Sequence, residues 1–294
     1  MSDTTGLIGG DENEYGYNPS EGVAIGFIVL FSLSTLLHAV QATNYRMWWL
    51  FPTACLCGIG ELAGWVARFK SASDPTNGDA NMAQIVATII SPTPLIAVNF
   101  VLMSRIVQRL GVCYSWLSAR WYTIIFLTCD IVALVVQGGG GGIAASADDG
   151  DRAAVNMGSN IMLAGIVFQL VAIIVYTLVG AEFLRRYTRD LPVRAQPSLG
   201  AGKAPFTPRL RLMVCALGFS TLVLFIRSIY RVVELAGGWN GKVIQTQAYF
   251  IWLDGGMVTL AIYTMNLCHP GLLLAVQDAG IVDEKDNASA ARLI

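Results

Sequence analysis

Seven long stretches of this chain are almost uninterrupted runs of apolar residues, separated by polar segments. They fall near residues 22–41, 47–69, 84–107, 120–138, 158–183, 211–235 and 246–269. A helix needs about 20 mostly apolar residues to cross the hydrocarbon core of a bilayer. Each stretch therefore predicts one membrane-crossing helix. The pattern predicts an all-α fold, a polytopic seven-transmembrane-helix bundle over 22–274. A polar tail precedes it at 1–21, and another follows at 275–294. Pro19-Ser20-Glu21 predicts the start of the first helix, with a hydroxyl at the N-cap and an acid in the first turn.

Composition agrees with this reading. The chain is 54% hydrophobic and only 13% charged, where soluble domains carry about 25% charge. The net charge of −1 says little about partners. The placement of the basic residues says more. With the N-terminus outside, thirteen Lys and Arg fall on inner segments, against four outside: Arg68, Lys70, Arg152 and Lys242. The positive-inside rule then predicts N-out and C-in, with Asp11 outside and Ala288 inside. Residues 1–21 are acidic and lack the basic stretch of a cleavable signal. None of the six cysteines falls on the oxidising face, so no disulfide is expected. The Gly138–Gly142 run lacks the Lys-Ser/Thr of a phosphate loop and predicts a flexible outer turn after the fourth helix.

Charges inside the apolar stretches are the candidate chemistry. At about 1.5 Å per residue, Glu61, Asp130, Arg227 and Asp254 each lie roughly 12 Å below the outer surface. Gln169 is somewhat deeper. Arg231, Glu234 and Gln137 lie nearer the mouth. Arg227 and Arg231 are four apart and share a helix face, with Glu234 three beyond. Ionisable side chains in lipid cost several kcal/mol unless paired or hydrated, and they mark functional sites by default. Four acids (Glu61, Asp130, Glu234, Asp254) face two arginines, which leaves two acids for a cation. The alternative is an ion-pair staple that only fixes helix neighbours. Pro92 and Pro94 free backbone carbonyls in the third helix, either as a packing kink or to widen a cavity.

The two histidines, His38 and His269, are expected at the inner side. Interfacial hydrogen bonding is the simpler role for each, and His269-Pro270-Gly271 reads as a helix stop. Were a haem bound, these would be the only imidazole ligands. No other cofactor is expected.

Taken in order, these residues resemble the fungal lipid-translocating exporters, the RTA-like seven-helix membrane proteins. The resemblance runs from about Tyr17 to Leu274. It rests on Tyr17-x-Pro19-Ser20, Glu61-x-x-Gly64-x-x-x-Arg68, Pro94, Ser104-Arg105, and Asp130 followed by Gln137-Gly138-Gly139-Gly140. Gly165-x-x-x-Gln169 comes next. The strongest block is Arg227-x-x-Tyr230-Arg231-x-x-Glu234-x-x-x-Gly238, followed by Asp254 and His269-Pro270-Gly271. Gln247 stands where the family pattern usually has an acid. The resemblance implies an integral protein of the plasma membrane or internal membranes. It implies movement or tolerance of sphingoid long-chain bases and sterol-like toxins, and in some members porphyrin or haem. Expected partners are membrane lipids and an amphiphilic small molecule, not nucleic acid.

Rival functions fare less well. A seven-helix receptor or sensor is the alternative, but Ser104-Arg105-Ile106 stands where one receptor class has Asp-Arg-Tyr, and the last helix lacks Asn-Pro-x-x-Tyr. A retinal protein needs a lysine inside the seventh helix, and none is there. No multi-histidine metal box or serine-triad spacing predicts an enzyme. No nucleotide-binding motif appears, so uphill transport would need an ion gradient or a partner.

Overall fold

The computed structural model describes residues 17–74, 78–147, 151–194, 205–238 and 241–274. Among them, seven helical spans are long and apolar enough to cross a membrane. They are α1 (Glu21–Asn44), α2 (Trp48–Ser73), α3 (Gly78–Leu110), α4 (Ala119–Ala145), α5 (Arg152–Arg189), α6 (Pro208–Ala236) and α7 (Gln247–Leu274). The chain is an integral membrane protein. Asp11 and Ala288, whose sidedness the charge pattern predicts, lie outside the described residues.

Short connections make successive spans antiparallel. One end of the bundle carries Tyr17 and the start of α1; the other carries His269. Each span packs on its sequence neighbours, and α1 closes the ring against α7. The most buried span is α3, which also touches α5 and α6. Leu33, Leu36, Val135, Leu178 and Leu222 face outward and are exposed. Charged groups such as Glu61, Arg68 and Asp254 lie inside. This is the polarity that a lipid solvent imposes.

Local chemistry sets the helix starts. Asp151 caps α5 by accepting from the Ala153 and Ala154 amides at 3.1 Å, and Thr207 caps α6 ahead of Pro208 at its first position. Ser20 sits at the α1 N-cap with extended backbone, yet its hydroxyl makes no capping bond.

Several spans are longer than the apolar runs. The fourth does not stop at 138: Gly138–Gly142 is helical within α4, so the expected outer turn is a helix–helix contact. A Cβ on Gly140 would meet the Gly158 carbonyl oxygen at 2.6 Å, and one on Gly158 would meet the Gly140 oxygen at 2.5 Å. Glycine here lets the α4 and α5 backbones touch, the packing device of membrane helices. The second span runs to Ser73 and takes Arg68 inside with it. The third begins at Gly78 and breaks at Ser91-Pro92. Two π-helical turns, Phe51–Cys55 and Phe250–Gly256, interrupt α2 and α7.

Candidate functional site

The kink in α3 organises the charged layer. Pro92 has no N–H, so the carbonyl of Thr88, four residues earlier, loses its helical donor. Arg227 Nη2 of α6 donates to that oxygen and lies 3.5 Å from the Ile89 carbonyl oxygen. Arg227 Nε also lies 2.9 Å from Asp254 Oδ1, although its N–H is not aimed well enough to hydrogen-bond. One α6 side chain thus ties the kink in α3 to the carboxylate of α7.

Arg231, one turn on, grips the same carboxylate with two donors. Its Nε is 2.8 Å from Asp254 Oδ1 and its Nη2 2.5 Å from Oδ2. Its Nη1 reaches Glu234 Oε2 at 2.7 Å, and Nη2 also donates to Thr88 Oγ1 at 2.6 Å. Tyr230 donates to Glu234 Oε1 at 2.7 Å. Asp254 sits in the π-helical turn and is wholly buried. A π turn carries an extra residue and re-aims its side chains, and such turns gather at functional sites.

Glu61 of α2 stands beside this network. Asp254, Arg227 and Arg231 are the charges that reach it. It is fully buried, and neither carboxyl oxygen has a hydrogen-bond partner among the described residues. Toward the Tyr17 end lies a third buried arginine, which the sequence reading placed in the outer segment. Arg68 donates to Gln84 Oε1 at 3.0 Å and to the Tyr17 hydroxyl at 2.9 Å. Its guanidinium lies 4.6 Å from the centroid of the Phe250 ring, in cation–π range.

Asp130 does not join the arginines. Gln169 Nε2 donates to Asp130 Oδ1 at 2.7 Å and to Thr93 Oγ1 at 3.2 Å. Gln137, expected near Arg231 and Glu234, instead donates to Gln169 Oε1 at 3.2 Å. The polar layer is therefore two networks. One joins α3, α6 and α7 beside Glu61 of α2; the other joins α3, α4 and α5. Equal depth could not separate them, because depth carries no information about direction around the bundle. Thr88 and Thr93 were missed, although counting four back from Pro92 points to Thr88.

The histidines belong to the α1–α7 contact. His38 Nε2 is 3.2 Å from the Ile262 carbonyl oxygen, beside Gln41 donating to the Asn266 carbonyl at 3.0 Å. His269 Nδ1 accepts from the Gly271 amide at 3.1 Å, and its ring packs on Tyr45. With its Nδ1 lone pair used, the other nitrogen of a neutral His269 carries the proton. Both residues are fully buried, and neither lines the two cavities that open between α3, α5 and α6. In this arrangement the pair does not fit a haem iron.

Of the charged groups, Glu234 lines a cavity. A space of about 260 Å³ at the Tyr17 end is bounded by Met82 and Ile85 of α3, Asn156 and Asn160 of α5, and Glu234 of α6. A carboxylate, two amides and apolar walls form its surface. Asp254 meets both arginines and lines no cavity, whereas Glu234 meets Arg231 and Tyr230 and also lines this cavity. The arrangement can receive a cation bearing hydroxyl groups and an apolar chain.

Known proteins resemble the chain over most of its length. The family model described as RTA1 like protein matches residues 54–277. The sphingoid long-chain base transporter RSB1 of Saccharomyces cerevisiae is 29% identical over 284 residues, covering 87% of this chain and 73% of that protein. Protein RTM1 of the same yeast is 26% identical over 280 residues, covering 81% and 85%. The probable lipid transporter atnI of Emericella nidulans is 22% identical over 284 residues, covering 92% and 71%. No solved structure matches the chain.

Proposed function

The chain belongs to the RTA1-like family, and from that premise we propose that it translocates amphiphilic, lipid-like molecules across its membrane. Sphingoid long-chain bases are the leading substrates, with sterol-like toxins as a second class. The observation that carries this reading is the Glu234 cavity. It puts a carboxylate and the amides of Asn156 and Asn160 against apolar side chains, between membrane spans. A sphingoid base has a matching outline: one ammonium, adjacent hydroxyls and a single hydrocarbon chain. Glu234 takes the ammonium and the amides take the hydroxyls. The relatives named as a sphingoid long-chain base transporter and a probable lipid transporter support the same reading.

The charged layer has the supporting role. Arg227, Arg231 and Asp254 hold the kinked α3 against α6 and α7, and so fix the wall that carries Glu234. A buried ion pair adds little net stability over an apolar contact, and positioning is the role we assign to this one. The excess of basic residues on the His269 side supports placing the Tyr17 end outside, and with it the Glu234 cavity. The plasma membrane is the proposed location. The test is flux. Purified protein in liposomes should speed movement of a labelled sphingoid base between leaflets relative to protein-free liposomes. Equal rates with and without protein would end the proposal.

A further inference from the structure

The Glu234 cavity has a counterpart near the His269 end, walled by the same three spans. This second cavity holds about 490 Å³, within the roughly 300–1,000 Å³ range of ligand pockets. Its walls include Met103 of α3, Tyr176 and Gly180 of α5, and Leu217, Gly218 and Phe225 of α6. Ile174, Leu178 and Leu222 at its rim are exposed on the lipid face. Its lining is almost wholly hydrocarbon. Gly218 and Gly180 keep it open by withholding side chains.

Between the two cavities Ile89 of α3 packs on Met162 and Ile166 of α5, and beside the large cavity the seam narrows to a gap too small for a water molecule. Asn99 of α3, Ile173 and Tyr176 of α5, and Thr221 and Leu224 of α6 close it. Tyr176 and Thr221 also line the large cavity, so the gap continues it. From Gly218 to Glu234 is sixteen residues of helix, about 24 Å at 1.5 Å per residue. That is most of the roughly 30 Å hydrocarbon thickness.

Two sequence stripes run along these helices from one cavity to the other. On α5, Met162, Ile166, Gln169, Ile173, Tyr176 and Gly180 recur at three- and four-residue steps, the period of one helix face. On α6, Leu217, Thr221, Leu224, Ser228, Arg231 and Leu235 do the same. Polar groups interrupt the apolar stripes at intervals. Near the His269 side, Asn99 Nδ2 lies 3.3 Å from Ser220 Oγ and from Thr221 Oγ1, and the Tyr176 hydroxyl donates to the Asn99 carbonyl at 3.1 Å. Midway, Gln169 bridges Thr93 and Asp130. At the Tyr17 side stand Asn160 and Glu234.

We infer that the α3–α5–α6 seam is a lipid track: a single hydrocarbon chain enters sideways into the 490 Å³ cavity while its polar head steps from the Asn99–Ser220–Thr221 cluster, past Gln169, to Glu234. This rests on the reading of the protein as a translocator and adds the route. A hydrocarbon chain is the fitting occupant because the cavity rim is exposed on lipid-facing surface and its walls offer little to a polar molecule. The closed middle makes the two cavities separate stations, so a head group passes only when Tyr176 and Thr221, and then Ile89 and Ile166, move apart.

The test uses sphingosine carrying a photoactivatable diazirine in its chain, with the full-length protein in liposomes. Irradiation should label α5 between Ile174 and Leu184 and α6 between Val214 and Phe225. Gly218→Phe fills the cavity, and its first added carbon meets nothing within 4 Å, so the variant should fold. It should lose both the label and the movement of labelled sphingosine while melting at the wild-type temperature. Gly26→Phe on α1, where a Cβ also meets nothing, should keep both. Labelling confined to other spans, or Gly218→Phe moving sphingosine at the wild-type rate, overturns the track and leaves the translocator reading standing. A wild-type protein that moves no sphingosine removes that reading and the track with it.

Discussion

The guanidinium of Arg227 donates to the carbonyl oxygen of Thr88, four residues before Pro92. A proline in lipid leaves a backbone acceptor that no water can satisfy. Here a charged side chain from another span takes its place. The same arginine faces Asp254, so the break in α3 is joined to the ion pairs of α6 and α7. A kink and a buried charge, each costly alone, satisfy one another.

Pro92→Ala should therefore be harmful. In an ordinary helix interior the change relieves about 3 kcal/mol. In this protein the backbone N–H restored at position 92 competes for the Thr88 carbonyl and strands a buried guanidinium donor, at about 1–3 kcal/mol. Thermal unfolding in detergent should shift to lower temperature. A higher melting temperature would show that the Arg227 bond is incidental.

Asp254→Asn should reduce folding as well as function. Counting charges by depth leaves two of the four acids for a cation, and Asp254 is not one of them. The structure gives Asp254 two arginine partners and no cavity. Breaking a buried pair from one side costs about 3–5 kcal/mol in soluble proteins. Expression level and melting temperature should both fall, and wild-type values for both would contradict the pairing.

Glu61→Gln should behave differently. The carboxyl makes no well-formed hydrogen bond among the described residues, and it is fully buried beside Trp65 with Asp254, Arg227 and Arg231 around it. Glutamine keeps the shape and removes the cost of burying a carboxylate next to Asp254. The melting temperature should hold or rise, and a fall comparable to that of Asp254→Asn would refute this placement.

The glycine run offers an internal comparison. Gly140→Ala puts a methyl group 2.6 Å from the Gly158 oxygen and 2.7 Å from the Met162 amide nitrogen. Neither backbone can yield without separating α4 from α5. Gly139→Ala and Gly142→Ala meet nothing within 4 Å and gain helix propensity, about 1 kcal/mol each. Melting temperatures should order as Gly139→Ala and Gly142→Ala above wild type, and Gly140→Ala well below it.

The seven spans were readable because apolar length is nearly sufficient to define a membrane helix. The nearness of Arg227 and Asp254 was readable from matched depth, and that of Arg231 and Glu234 from helical spacing. What failed was direction. Asp130 and Gln137 lie near the right depth yet turn toward Gln169. The Gly138–Gly142 run was misread because glycine breaks helices in water, whereas between membrane helices it permits contact. Arg68 looked like an outer charge because it lies next to the end of the apolar run. Its partners Tyr17 and Gln84 come from distant parts of the chain. The π turn that aims Asp254 has no local sequence signature.

The central claim is that a cavity carboxylate recognises the amine of a mobile amphiphile, and one measurement addresses it directly. Leaflet-to-leaflet movement of a labelled sphingoid base and of its N-acetylated counterpart is followed in liposomes holding wild-type protein or Glu234→Gln. The wild type should move the free base faster than the uncharged N-acetyl form. Glu234→Gln keeps one acceptor for the two donors Tyr230 and Arg231, so its melting temperature is measured alongside, and the folded variant should slow the free base to the rate of the N-acetyl form. If the wild type moves both at one rate, or Glu234→Gln leaves the preference intact, the carboxylate does not read the amine and the account is wrong.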